Sequence, residues 1–370
     1  MKFITRLALS AILAITSAQA CSEIFINKDG KHVVGRNNEF GSNITVPNAV
    51  SYVGQKHTTS INMPSQKIPK SKLKIWSNKY GYVGRIVNPM LNQVTDGMNT
   101  EGVSVAYLFF AGAKYPDYDK NSNKKVLGFG DIGTYVLSKA KSTKEAIKLL
   151  KELQLVGANA SVNRSTQMIL FPQHISIRDK SGHSAVIEFV DGKVVFYENA
   201  KDVMTNAPSY AWQLKNAAQY SSMKITNTKP NPKFEKRVIN YDTIYNATGA
   251  HKNQTAMLGL PADFTPASRF ARATVWLDNM MPVYSSVQAR AQARSLIDAI
   301  ATFTVDMKDI LTWQNIKDLD NGLYYYKDLY MFTGKNSLFA YDIEQGFTKV
   351  DLNEIDFTVI PDDQPKWFNK

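Results

Sequence analysis

A single cysteine, Cys21, stands directly after a run that reads as an export leader. Met1, Lys2 and Arg6 form a short basic patch, Leu7 to Ile15 an apolar stretch, and Ser17-Ala18-Gln19-Ala20 supply the small residues a signal peptidase accepts. The apolar stretch is too short to span a bilayer, and no later segment has the ~18 uninterrupted apolar residues that a membrane helix needs. Residues 1–20 are therefore expected to be a signal peptide cut between Ala20 and Cys21, with signal peptidase as the partner in maturation. The mature chain is expected to be soluble and periplasmic or secreted. One cysteine cannot form an internal disulfide, so a thiol at the new N-terminus calls for another explanation.

Three readings compete for it. A buried structural cysteine would be inert, and a cleavage site is an odd place to find one. A lipoprotein cysteine would be acylated, making the protein an envelope-anchored binding module, but such a site carries Leu three residues earlier, followed by a small or aliphatic residue. Here those positions hold Ala18 and Gln19. The third reading is catalytic. A residue-one cysteine has its own α-amine within reach, with a reference pKa near ~7.7–8.0 against ~8.5 for the thiol, so one residue carries nucleophile and base. That pair can attack an amide, protonate the leaving nitrogen and hydrolyse the thioester.

Composition narrows the alternatives. The formal charge is +12, or +10 once Lys2 and Arg6 leave with the leader, which favours anionic ligands or an anionic envelope. The basic residues are scattered and no nucleic-acid-binding signature accompanies them, so nucleic acid is not an expected partner. His32, His57, His174, His183 and His251 show no metal-ligand spacing, and neither a metal nor a cofactor is expected.

Strand alternation begins at Cys21 and folds back through Asn27-Lys28-Asp29-Gly30, a hairpin signal that returns the chain beside Cys21 at residues 34–40. More strands are expected over 70–112 around a turn at Asp96-Gly97-Met98-Asn99-Thr100-Glu101-Gly102, then helix from Asp131 to Leu153, restarted by the Ser142/Glu145 capping box. A meander over 166–199 turns at Asp179–Gly182 and at Asp191-Gly192. A long loop over 221–262, helices over 268–280 and 285–303, and a strand-rich end containing Leu323-Tyr324-Tyr325-Tyr326 complete the pattern. Blocks of strands and blocks of helices, with no linker-like segment, predict one α+β domain over residues 21–370.

Four ordered segments carry a resemblance. They are Gly35-Arg36-Asn37-Asn38-Glu39-Phe40 across the first hairpin from Cys21; Asp96 to Gly102; Thr205-Asn206-Ala207-Pro208 with Trp212; and Pro261-Ala262-Asp263-Phe264-Thr265-Pro266-Ala267-Ser268-Arg269-Phe270. Together they resemble the choloylglycine hydrolase family of penicillin V acylases and bile salt hydrolases. The resemblance implies a four-layer αββα N-terminal-nucleophile hydrolase fold, with two packed antiparallel sheets between helical layers. It implies Cys21 as nucleophile, Arg36 by its sulfur, Glu39 where the family usually has Asp against the α-amine, Asn206 as an oxyanion donor, and Arg269 completing the polar network. Asn99 is read equally as a site residue or a turn residue. Phe109 falls where the family often has an oxyanion donor. Phenylalanine cannot donate, so the oxyanion hole is expected to rest on Asn206 and backbone N–H groups, and Tyr107, Phe109 and Phe110 are expected to line an apolar acyl pocket. The implied substrate is a small acyl amide: penicillin V, or alternatively a bile salt or an acyl homoserine lactone. Family analogy adds a homo-oligomer, often a tetramer.

Overall fold

The computed structural model describes residues 21–39, 48–59, 68–88, 93–157, 172–224, 257, 259–302, 311–328 and 346–361. The expected signal peptide and most of the loop expected over 221–262 lie outside these residues. Strand begins at Cys21: β1 (Cys21–Lys28) and β2 (Lys31–Glu39) pair antiparallel across Asp29 and Gly30, whose φ values of 52° and 67° make the tight turn that an Asp-Gly pair favours. A two-residue turn fixes register, so Lys28 faces Lys31 and, seven pairs on, Cys21 faces Asn38.

The chain continues through β3 (Asn48–Ser51), β4 (Lys56–Thr58), β5 (Ile75–Ser77), β6 (Tyr82–Asn88), β7 (Gln93–Asn99), β8 (Val103–Phe109) and β9 (Val126–Gly128). Helices α1 (Ile132–Lys139) and α2 (Thr143–Lys151) follow, then β10 (Gln154–Val156), β11 (Gln173–Asp179), β12 (Ser184–Val190), β13 (Lys193–Glu198) and β14 (Val203–Met204). Helices α3 (Tyr210–Ala218), α4 (Pro266–Asp278) and α5 (Ser286–Ala299) precede β15 (Leu311–Asp318), β16 (Leu323–Asp328) and β17 (Thr348–Asp351). Two antiparallel sheets result, one ordered β14-β1-β2-β15-β16-β17 and the other β13-β12-β11-β8-β7-β6-β3.

Residue alternation assigns the faces. Val103, Val105, Tyr107, Ile175 and Ile177 of the seven-stranded sheet pack under Ile132, Tyr135, Ile147 and Leu150 of α1 and α2. Ile24 and Ile26 of the six-stranded sheet pack under Phe270 and Ala273 of α4 and Ala289, Ala293 and Ile297 of α5. Phe25 and Val34 meet Val50, Val83 and Met98 between the sheets. The order is helix, sheet, sheet, helix, as the resemblance implied. Ser142 accepts the Glu145 N–H at 3.2 Å, so the capping box does restart the helix, with Glu145 reaching back to the Lys141 N–H.

The turn expected over Asp96 to Gly102 falls at the end of that segment, past the Asp-Gly pair. Asp96 and Gly97 sit inside β7, opposite Arg85 on one side and Ala106 on the other, and the chain reverses at Thr100 to Gly102, where Gly102 has φ 75°. The local Asp-Gly signal is overridden because the Asp96 carboxylate is held between the sheets by cations distant in sequence. Asn99 is a structural residue: its amide donates to the carbonyls of Leu137 and Ala140 at the end of α1, and its oxygen accepts from Glu101 and Val103.

Helix α5 rests on β2 at Gly35. A Cβ there would lie 2.9 Å from Ile297 Cγ2 and 3.4 Å from Ile24 Cγ1. Gly35→Val is expected to lower unfolding stability by about 1–3 kcal/mol through overpacking, read as a lower urea midpoint with an unchanged slope.

Candidate active site

Cys21 heads β1 with its side chain between the sheets, 4% exposed. Its backbone nitrogen donates to Asn206 Oδ1 at 2.7 Å, and its thiol donates to Asn38 Oδ1 at 3.6 Å. Asn206 follows β14, which pairs with β1, so the sheet itself brings the two together. Arg269 locks them from the outer side. Its guanidinium donates to Cys21 O at 2.8 Å, to Asn206 Oδ1 at 2.9 Å and to Ser22 Oγ. That reach depends on the start of α4, where Thr265 caps the Ser268 N–H, Pro266 occupies the first turn, and Asp263 accepts from Thr265 N and Ser268 Oγ. The long Pro261–Phe270 segment is thus a helix start that delivers one arginine.

Arg36 lies two residues from Asn38 on the same inward face of β2. It donates to Asp96 Oδ2 at 2.8 Å, Thr95 O at 3.2 Å, Tyr107 O at 2.5 Å and Asn38 Oδ1 at 3.4 Å. Asp96 also receives Lys317 Nζ at 2.9 and 3.0 Å and Asn315 Nδ2 at 2.5 Å. Burial works against the Arg36 charge, but Asp96, Cys21 and Glu23 outweigh it and hold the guanidinium pKa above its ordinary value.

Burial raises the Cys21 thiol pKa most. The Arg36 charge pulls it down, the Glu39 charge pushes it up, and backbone groups of Glu39 and Phe109 favour the anion; the net shift is upward. Burial thus disfavours the thiolate, and attack on a carbonyl calls for a base that accepts the thiol proton. Glu39 is buried, and its Oε1 accepts the Thr302 N–H at 3.2 Å.

The aromatic candidates separate. Phe109 comes to the site through its backbone: its carbonyl accepts from Asn206 Nδ2 at 2.8 Å. Phe110 is buried and stacked on His174, centroids 5.0 Å apart. Tyr107, expected in the acyl pocket, turns its ring to the other face of β8, where its hydroxyl donates to Phe129 O and accepts from Gly133 N in the outer core. Alternation along β8 explains this, since Ala106 and Leu108 are the residues that pack in the cluster containing Cys21. Missed by the sequence reading are Asn38, Ser22, Trp313, Asn315, Lys317 and the central part of Asp96. For Asn38 the signal was present: pairing outward from the two-residue turn at Asp29-Gly30 places it opposite Cys21. Among the described residues no group of three or more His, Cys, Asp and Glu is placed to hold a metal ion.

Two packed antiparallel sheets between helical layers, with a cysteine at the head of β1, are the architecture of the N-terminal-nucleophile hydrolases. The chain belongs to the choloylglycine hydrolase family of linear amide C-N hydrolases, whose model matches residues 21–345. It is 27% identical over 311 residues to the bile salt hydrolase/transferase of Clostridium perfringens (strain 13 / Type A), covering 81% of this chain and 86% of that protein. It is 32% identical over 146 residues to the penicillin V acylase of Pectobacterium atrosepticum, 38% of each chain. In fold it is similar to a mutant conjugated bile acid hydrolase from Clostridium perfringens, with TM-score 0.69 and 21% identity over 94% of this chain and 96% of that one.

The Glu39 carboxylate opposes ionisation of Cys21, so Glu39→Gln is expected to lower the thiol pKa and move the pH profile of iodoacetamide alkylation to lower pH. At a pH below the midpoint alkylation then quickens by about threefold or more. An unmoved profile in the folded variant would show that the carboxylate does not act on the sulfur.

Proposed function

We propose that the mature protein is an exported amide hydrolase of the penicillin V acylase type, cleaving an acyl amide through Cys21 and a thioester intermediate. One observation carries this reading: the Cys21 nitrogen, which becomes an α-amine on removal of residues 1–20, is already held by Asn206 at 2.7 Å, with Arg36 beside the sulfur. Export rests on the leader pattern and on the family match, which begins at Cys21.

The chemistry follows from these positions. The α-amine takes the thiol proton as sulfur attacks the amide carbonyl, forming a C–S bond and an oxyanion. The second N–H of Asn206, whose first is bound to Phe109 O, is the side-chain donor for that oxyanion, together with backbone N–H groups. Collapse breaks the C–N bond, and the ammonium passes its proton to the departing nitrogen. Water then gives a proton to the amine and attacks the thioester; the carboxylate leaves and the thiol is restored. Asn206 and Arg269 orient the amine, and Arg36 offsets charge at sulfur.

Bile-salt hydrolysis is the second reading. It is favoured by the relative that matches over 86% of its own length and by a basic chain suited to anionic substrates. Acyl homoserine lactones form a third substrate class for the same machinery. The test combines intact mass of the exported protein with turnover of penicillin V, glycocholate and acyl homoserine lactones. The expected mass is that of residues 21–370 with a free Cys21, and the expected fastest substrate is penicillin V. An added diacylglycerol would place the protein among lipoproteins, faster glycocholate turnover would move it to the second reading, and no cleavage of any amide would overturn the proposal.

A further inference from the structure

A row of side chains crosses the six-stranded sheet from the nucleophile to solvent. Register places Cys21 opposite Asn38, Asn38 opposite Trp313, and Trp313 opposite Asp328 on β1, β2, β15 and β16. Directly opposed residues share a face, so all four point toward the other sheet. Trp313 is 3% exposed and Asp328 side chain 43%. Two guanidiniums lie over the Trp313 ring, Arg36 and Arg85, each 4.9 Å from its centroid, and Arg85 is tied to Asp328 at 2.7 Å.

Arg36 is held at its edge by Asp96, Thr95, Tyr107 and Asn38, through its two terminal nitrogens; its Nε is buried with no hydrogen-bond partner. What covers its face is the indole. The indole Nε1 is itself buried and makes no hydrogen bond among the described residues, so the ring face is the part of Trp313 in use. A buried cation over an aromatic face is attracted by the ring quadrupole, and the attraction has a direction. We propose that Trp313 is a positioning residue for catalysis: its ring face fixes the Arg36 guanidinium beside the Cys21 sulfur, and Arg85, anchored by Asp328, completes the clamp.

The groups facing the thiol are Arg36 and Glu39, with Arg269 on the Cys21 carbonyl. Those facing Arg36 are Asp96 from β7, Glu23 from β1 and Lys317 from β15 through Asp96, with Arg85 from β6 over the same ring. Loosening Arg36 withdraws the one side-chain charge among them that lowers the thiol pKa. The inference rests on Cys21 being the reacting thiol, but alkylation is read without substrate, so it fails or stands independently of which amide is cleaved.

The experiment measures the pH profile of iodoacetamide alkylation of Cys21 in the mature protein and in Trp313→Leu and Trp313→Phe. Trp313→Leu is expected to move the midpoint up by about half a unit to one unit, slowing alkylation roughly threefold to tenfold below it. Trp313→Phe keeps a ring face and is expected to restore the profile. Because Trp313→Leu can compromise folding, a second series places indoles of increasing fluorination at position 313, which weakens the ring quadrupole at nearly constant shape. The midpoint is expected to climb with each fluorine. A flat fluorination series overturns the proposal, as does a folded Trp313→Leu variant with the original profile, or a Trp313→Phe shift as large as that of leucine.

Discussion

The arrangement turns on one buried carboxylate. Asp96 projects from β7 into the space between the sheets and meets Arg36 of β2 and Lys317 of β15, all essentially without solvent exposure. Two cations and one anion leave this triad with a net positive charge. Each charge was taken out of water at a cost of several kcal/mol, which only close pairing and added hydrogen bonds offset; removing one partner of such a buried pair typically costs about 3–5 kcal/mol. Asn315, Thr95 and Tyr107 supply those extra bonds. The triad thus sews one sheet to the other and holds the Arg36 charge beside Cys21.

The pull of that charge is opposed by burial, and burial is the larger effect on the thiol. Because burial disfavours the thiolate, attack by the sulfur depends on a proton acceptor within reach. In the proposed mature form the α-amine of Cys21 is that acceptor, with Asn206 bonded to its nitrogen and Arg269 bonded to Asn206. Arg269 bonds to the carbonyl of Cys21, the hydroxyl of Ser22 and the amide of Asn206 at once, so helix α4, strand β1 and the segment after β14 share one fixed point. Preorganisation of this sort is what lets a protein dipole outperform water around a developing charge.

Local patterns read well where local chemistry decides. The Asp29-Gly30 hairpin, the Ser142 cap, the Asp191-Gly192 turn with both φ values positive, and the start of α4 are all settled within a few residues. Illegible were the contacts made across long sequence separations. Asp96 has a turn-former's neighbour in Gly97, yet its partners lie 60, 219 and 221 residues away. Tyr107 sits beside Phe109 in a run of apolar residues, where composition says nothing of facing, and only the pleat decides which side each occupies. The motif-bearing residues Arg36, Asn206 and Arg269 do gather around Cys21. Trp313 and Lys317 carried no local mark, because their meaning comes from the charges they face.

In the proposed chemistry Cys21 becomes an acyl thioester during turnover. Acid quenching of the mature protein during rapid turnover of penicillin V, followed by intact mass and peptide mapping, tests it directly. The prediction is a mass increase equal to the acyl group, located on Cys21 by mapping kept at acid pH, with neither adduct nor turnover in a folded Cys21→Ala variant. Turnover that persists in that variant, or an acyl group mapped to another residue, would contradict the account.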